Sequence, residues 1–204
     1  MIRKAFNSDV IMKILLASNS PRRKELLTAL GFGFEVVSVD CDEIYPENLP
    51  VEKIAEYLSD LKADAYKNLE SGEVLITADT IVALENEVLG KPKNALEAKQ
   101  MLRKLSGKTH EVYTGITIRN SQKSISQTDV THVETDDLTD EEIDFYIENY
   151  KPFDKAGAYG VQEWFGMAKI KRITGSYYTV MGLPTHLVYG ILKDFELAFS
   201  KDKI

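Results

Sequence analysis

The sequence predicts an α/β protein built on a mixed β-sheet flanked by helices. Three observations carry that expectation. Short apolar runs alternate with stretches of helical spacing in the first half, giving a βαβαβ order. Residues 74–84 form a long β-branched and apolar run, the pattern of a central strand buried on both faces. Residues 110–119 and 124–134 read as a β-hairpin across Asn120-Ser121-Gln122, which a purely parallel sheet does not contain. A chain of 204 residues suits one domain or two small lobes and is long enough for a substantial core.

The elements follow in order. Residues 1–13 are mixed in character and lack the apolar centre of a secretory signal. Residues 1–12 read as an N-terminal extension, with Met12 an equal candidate for the natural start, and 13–204 as one domain. Residues 14–17 form a short buried strand. Residues 21–30 form a helix, with Ser20 as N-cap, Pro21 at the first position and Gly31 as the stop. Residues 34–39 read as a strand and the acidic, proline-containing stretch 41–50 as a loop. Ile54, Ala55, Leu58, Leu61 and Ala65 recur at helical spacing, predicting a helix over 51–69 closed by Ser71-Gly72. After the central strand, Glu85-Asn86-Glu87 turns into a short return strand at Val88-Leu89. Residues 95–105 form a helix closed by Ser106-Gly107. Thr139 and Glu142 make a capping box that opens a helix over 139–149. The glycine- and aromatic-rich stretch 151–166 reads as irregular, 167–173 as a strand, Gly175-Ser176 as a turn and 184–199 as the closing helix.

Composition excludes several classes. Apolar residues make up 44% and charged residues 28%, which is ordinary globular usage. The formal net charge of −7 argues against a nucleic-acid polymer as partner. It does not exclude a nucleotide, because a local cationic cluster binds one phosphate chain whatever the global sign. Cys41 is the single cysteine, so no intrachain disulfide forms, which fits a cytoplasmic protein. No apolar run reaches transmembrane length, so no membrane partner is expected.

The residues with most chemical content open the first helix. In Ser18-Asn19-Ser20-Pro21-Arg22-Arg23, two arginines fall in the first helical turn, against the dipole. The arrangement becomes favourable with an anion in front: backbone N–H groups, the Ser18 and Ser20 hydroxyls and two guanidinium forks would converge on one phosphate. Local spacing fits an ordinary capped helix with solvated arginines equally well. Asp79, inside the apolar strand, is costly unless paired, hydrogen-bonded or on a metal. Lys91, held extended by Pro92, can return alongside Asp79. Lys62 lies on the polar side of its helix. Glu43, beside Asp40 and Asp42, can join Asp79 in supplying the carboxylate pair that Mg²⁺ takes beside substrate phosphates, although a solvated acidic loop reads the same way.

Two signals fail. Ser106-Gly107-Lys108-Thr109 resembles the end of a P-loop, but Leu102 stands where the loop needs glycine. His110, His132 and His186 lack metal-ligand spacing, and a capping or packing role suits His110. Tyr177, Tyr178 and Trp164 read as core or rim aromatics.

Taken together, the motifs resemble the Maf family of nucleoside triphosphate pyrophosphatases over about residues 14–192. The resemblance is carried by Leu-Ala-Ser-Asn-Ser-Pro-Arg-Arg at 16–23, Thr-Ala-Asp-Thr-Ile-Val at 77–82, Gly-Lys-Pro at 90–92 and Leu-Ser-Gly-Lys-Thr-His at 105–110. It continues through Asp-Lys-Ala-Gly-Ala-Tyr-Gly-Val-Gln at 154–162, Gly-Ser-Tyr at 175–177 and Met-Gly-Leu-Pro at 181–184. It implies an elongated α/β structure of the Maf/ITPase-like kind, a mixed sheet with a cleft between two lobes. It also implies a cytoplasmic enzyme, and suggests a homodimer, that hydrolyses a triphosphate to monophosphate and pyrophosphate with a divalent metal, Mg²⁺ or Mn²⁺. Ser18, Ser20 and Arg23 match the family's phosphate-binding loop, and Glu43, Lys62, Asp79 and Lys91 its charged catalytic set. Glu43 and Asp79 would hold the metal, with Asp79 as base, ligand or both. Arg22, Thr80 and Gln162 match the positions that separate a dTTP/UTP branch from a sister branch preferring 7-methylguanosine triphosphate, and here they look like the dTTP/UTP branch. Thr80 and Gln162 are expected to hydrogen-bond a pyrimidine edge. Glu163 departs from the glycine this branch often carries after the glutamine, which bears on loop shape near the base. Modified or 7-methylguanosine nucleotides, and a nucleotide-binding regulator of septum formation, are the alternatives.

Overall fold

A computed structural model describes residues 12–195. The expectation for the extension therefore lies outside the described residues except at Met12, as do residues 196–199 of the closing helix. A seven-stranded mixed sheet carries the described residues, in the order β2 (Phe34–Val36), β1 (Lys13–Leu16), β3 (Glu73–Leu84), β5 (Thr109–Arg119), β6 (Ser124–Thr135) and β7 (Ile170–Thr174), with β4 (Glu87–Leu89) on β3. β1 pairs in parallel with β2 and β3. β4, β5, β6 and β7 all pair antiparallel. The mixed character expected from the hairpin is present.

β3 is buried on both faces because alternate side chains enter different cores. Val74, Ile76, Ala78, Val82 and Leu84 join the main core. Leu75 and Ile81 face the opposite side, where α2 (Val51–Ala65) lies. The main core is closed by α1 (Pro21–Ala29), α3 (Ala95–Leu105), α4 (Asp140–Tyr150) and α7 (Thr185–Asp194). The capping box on α4 forms as the sequence predicts.

Several boundaries differ from the sequence reading. The helix predicted over 51–69 stops at Ala65, where Tyr66 turns extended. Unwinding there lets Tyr66 and Leu69 pack beside Leu15, Ala17, Ala63 and Leu75. The strand predicted over 34–39 pairs only to Val36, because its partner β1 ends at Leu16. Residues 167–169 are helical, not strand: α5 (Trp164–Lys169) brings Gly166 so close to Val161 that a Cβ would stand 1.7 Å from the Val161 carbonyl oxygen. A short helix, α6 (Tyr177–Val180), follows the Gly175-Ser176 turn that the sequence indicates.

One feature of the sheet positions the site. β5 pairs along one edge of β3 from Leu75 to Ala83. The other edge is shared, with β1 pairing up to Ile76 and β4 starting at Val82. Among the described residues, 77–81 therefore have no strand neighbour on that side. A gap opens there at the carboxyl end of β1, where crevices of open α/β sheets receive ligands.

Candidate active site

The cleft in this gap is lined from six separate stretches of chain. Ser18, Ser20, Arg22 and Arg23 come from the β1–α1 junction, and Glu43 and Lys62 from the acidic loop and α2. Asp79, Thr80 and Lys91 come from β3 and the segment after β4, and Gln162 from the irregular loop before α5. All ten residues that the sequence singled out thus line two adjoining cavities, which share Ser20, Arg22, Arg23, Lys62 and Lys91.

Local chemistry explains each placement. Ser20 caps α1 by accepting the Arg23 backbone N–H at 3.5 Å, and its own N–H donates to Ser18 Oγ at 3.2 Å. Asp79 points to the α2 face, where the Lys62 ammonium donates to its Oδ1. Lys62 also reaches Glu43 at 3.0 Å, so one cation gathers both carboxylates. Burial pushes the Glu43 carboxyl up, but the hydrogen bond and charge of Lys62, helped by Lys91 and Arg23, bring it below its ordinary value. Lys91 is exposed, and among the described residues no ion pair engages it. It is an uncommitted cation at the cleft.

The arginines differ from the expectation of two free forks. Arg22 is tied to Asp154 at 3.3 Å. Arg23 donates from Nε to the Gly182 carbonyl at 2.7 Å and from Nη1 to the Ala78 carbonyl at 2.8 Å, with Ser18 Oγ at 3.5 Å. The Ala78 carbonyl lies on the unpaired edge of β3, so the guanidinium takes the place of a missing strand. Nη2 donates to Thr80 Oγ1 at 3.1 Å. Burial lowers the Arg23 pKa, opposed by the charge of Asp79. A guanidinium remains charged even so. Arg23 is thus a fixed positive charge with one N–H to spare, rather than an open fork.

Sequence reasoning missed the scaffold of the Gln162 loop. Lys155 is buried and pairs with Asp154 at 2.7 Å and Glu163 at 3.1 Å. The Tyr146 hydroxyl donates to Glu163 and accepts the Gly160 N–H at 2.9 Å. Glu163, the departure noted in the sequence, therefore braces this loop against α4 and Lys155. His110 is fully buried, with Nε2 2.7 Å from the hydroxyl of Tyr159, a cleft residue. Burial lowers the His110 pKa to about 4, so the imidazole is neutral. The packing role suggested for it holds. Only the motif stretches 154–162 and 181–184 signalled that these segments matter.

Among the described residues, no group of three or more His, Cys, Asp or Glu side chains gathers to hold a metal. Two carboxylates on one ammonium are a different case. They match the donor set of a hard cation that completes its shell with phosphate oxygens and water. No helix among the described residues is long and apolar enough to cross a membrane.

Residues 13–195 match the family described as Maf-like protein. The chain is 52% identical to the dTTP/UTP pyrophosphatase of Bacteroides thetaiotaomicron, over 89% of this chain and 95% of that protein. It is 53% identical to that of Phocaeicola vulgatus, over 89% and 95% respectively, and 49% identical to that of Porphyromonas gingivalis, over 90% and 94%. Among solved structures, it overlays in part on the Staphylococcus aureus Ham1 protein, with a TM-score of 0.46 and 16% identity over 61% of this chain and 72% of that one.

Proposed function

Since the chain belongs to the Maf-like family, we propose that it hydrolyses nucleoside triphosphates, dTTP and UTP before others, to the monophosphate and pyrophosphate. The observation that carries this reading is the Lys62 ammonium joining Asp79 and Glu43 in a cleft walled by Arg22, Arg23 and Lys91.

The reaction needs water to attack the α-phosphorus while the bond to the pyrophosphate oxygen breaks. Negative charge grows on the non-bridging and leaving oxygens, and preplaced cations stabilise it. Arg23 supplies a fixed positive charge and Lys91 an unanchored one, and Ser18, Ser20 and the first turn of α1 supply hydrogen-bond donors. Asp79 has Oδ1 on Lys62, which leaves Oδ2 to accept a proton from the attacking water. Glu43 and Asp79 would hold a divalent cation, which when bound supplies Lewis acidity and acidifies a water ligand. Arg22, Thr80 and Gln162 are the residues proposed to tune base choice.

A pyrophosphate-release screen over the common triphosphates, with Mg²⁺ and with Mn²⁺, tests the reading. The expected result is highest kcat/KM for dTTP and UTP, with activity lost on chelation. A preference for ATP, GTP or 7-methylguanosine triphosphate would overturn the substrate assignment. Nucleotide binding without pyrophosphate release would favour the regulator instead. The reading also includes a cytoplasmic homodimer, and light scattering measures the dimer.

A further inference from the structure

Thr80 faces away from α2 and meets Thr114 directly across the β3–β5 ladder, and Asp129 lies opposite Thr114 on β6. α6 covers this row. Thr114 and Thr179 are both fully buried. Counting hydroxyl protons fixes every donor. Thr114 Oγ1 stands 2.8 Å from the Thr179 carbonyl oxygen, which can only accept, so the single Thr114 proton goes there. Thr114 must then accept from Thr80, 2.9 Å away. Thr80 has spent its own proton and accepts from Arg23 Nη2. On the other side Arg23 Nε donates to the Gly182 carbonyl, and the Gly182 N–H donates to the same Thr179 carbonyl at 3.0 Å.

The bonds close into a ring through Arg23, Thr80, Thr114, Thr179 and Gly182. Both lone pairs of the Thr179 carbonyl are used. The Thr179 hydroxyl, outside the ring, donates to the Asp129 carboxylate and pins α6 to β6. Gly182 sits at φ +100°, and a Cβ there would lie 3.3 Å from Thr80 Oγ1, so glycine lets the ring close.

We propose that this ring holds the Arg23 guanidinium in its working position, that Thr114 is a positioning residue for the reaction, and that Thr80 acts on substrate through Arg23. Thr80 has no proton to give a base. It offers only an oxygen lone pair, so any hydrogen bond of Thr80 to a pyrimidine edge is one that it accepts. The proposal rests on the pyrophosphatase reading for its catalytic part only. The ring itself is a statement about Arg23.

The experiment separates the two. In ¹⁵N-labelled protein, solvent exchange of the Arg23 Nε–H is followed by NMR, with Arg22 as the internal control. Thr114→Val keeps the shape and removes the proton, and it is expected to speed Arg23 Nε–H exchange about tenfold or more while Arg22 is unchanged. Thr114→Ser restores the slow exchange. Thr80→Val, at a half-buried position, gives the same acceleration and serves if Thr114→Val fails to fold. In turnover, Thr114→Val lowers kcat for dTTP about tenfold, with KM moving less, and adds no further loss in an Arg23→Lys background. Unchanged Arg23 exchange in both valine variants overturns the ring, even if the protein hydrolyses dTTP. Full additivity with Arg23→Lys overturns the positioning role. If the unmodified protein releases no pyrophosphate, the functional reading falls, and the exchange data still decide the ring.

Discussion

Asp79 and His110 are two polar side chains buried for different reasons. Asp79 is 7% exposed and survives in an apolar strand because Lys62 compensates its charge. Asp79→Asn would remove the proton acceptor and charged metal donor proposed above. It is expected to lower kcat for dTTP by about two orders of magnitude or more, measured as initial pyrophosphate release with folding checked by circular dichroism. His110 is buried neutral against Tyr159, with no charge beside it. Its folded pKa of about 4 lies below the unfolded value of 6.5. The unfolded chain therefore binds more protons between those values, and stability falls as pH drops through that window. The loss attributable to this residue is roughly 3 kcal/mol between pH 7 and pH 4. Urea unfolding across that range should show His110→Gln with a shallower pH dependence than the unmodified protein. Parallel curves would remove the assignment.

At the scale of elements, α2 lies unusually close to the sheet. A Cβ at Gly115 would stand 2.3 Å from the Ala55 carbonyl carbon and oxygen, which are backbone atoms and cannot swing aside. Gly115 is also the cross-strand partner of Asp79. The missing side chain therefore sets the distance between the strand that carries Asp79 and the helix that carries Lys62. Gly115→Ala should lift α2, cost about 1–3 kcal/mol in urea unfolding and loosen the Lys62–Asp79 pair. The expected signature is a fall in kcat larger than the loss of folded protein explains. Helix starts, such as Ser20 and the Thr139–Glu142 box, were readable from sequence because capping is local chemistry. The end of α2 was not, because Tyr66 and Leu69 also pack against Leu15 and Ala17, some fifty residues earlier in the chain.

For the molecule as a whole, the cleft is an edge defect of the sheet lined by side chains from six segments. A ligand that touches several of them cross-links the fold. At a hundredfold excess over its Kd, a ligand that binds only the folded state stabilises it by about 2.7 kcal/mol. A dTTP analogue with a non-hydrolysable α,β linkage and Mg²⁺ should therefore raise Tm by roughly 5 °C or more. The matching ATP analogue at equal concentration should raise it less. Equal shifts would place recognition in the phosphates alone.

The sequence by itself determined the α/β class, the mixed sheet, most element boundaries and most of the charged residues at the cleft, Asp154 and Lys155 excepted. Those follow from periodicity, capping and the high cost of burying a carboxylate in a strand, all carried by neighbours in the chain, and from motifs that resemble a known family. The tertiary structure alone decided who holds whom. It gave Asp79 and Glu43 one shared lysine, turned Arg23 from an open fork into a clamped charge, and made Glu163 a brace. Hydrogen-bond partners across a sheet depend on register and on which strand edge stays open, and no local pattern in the chain encodes either.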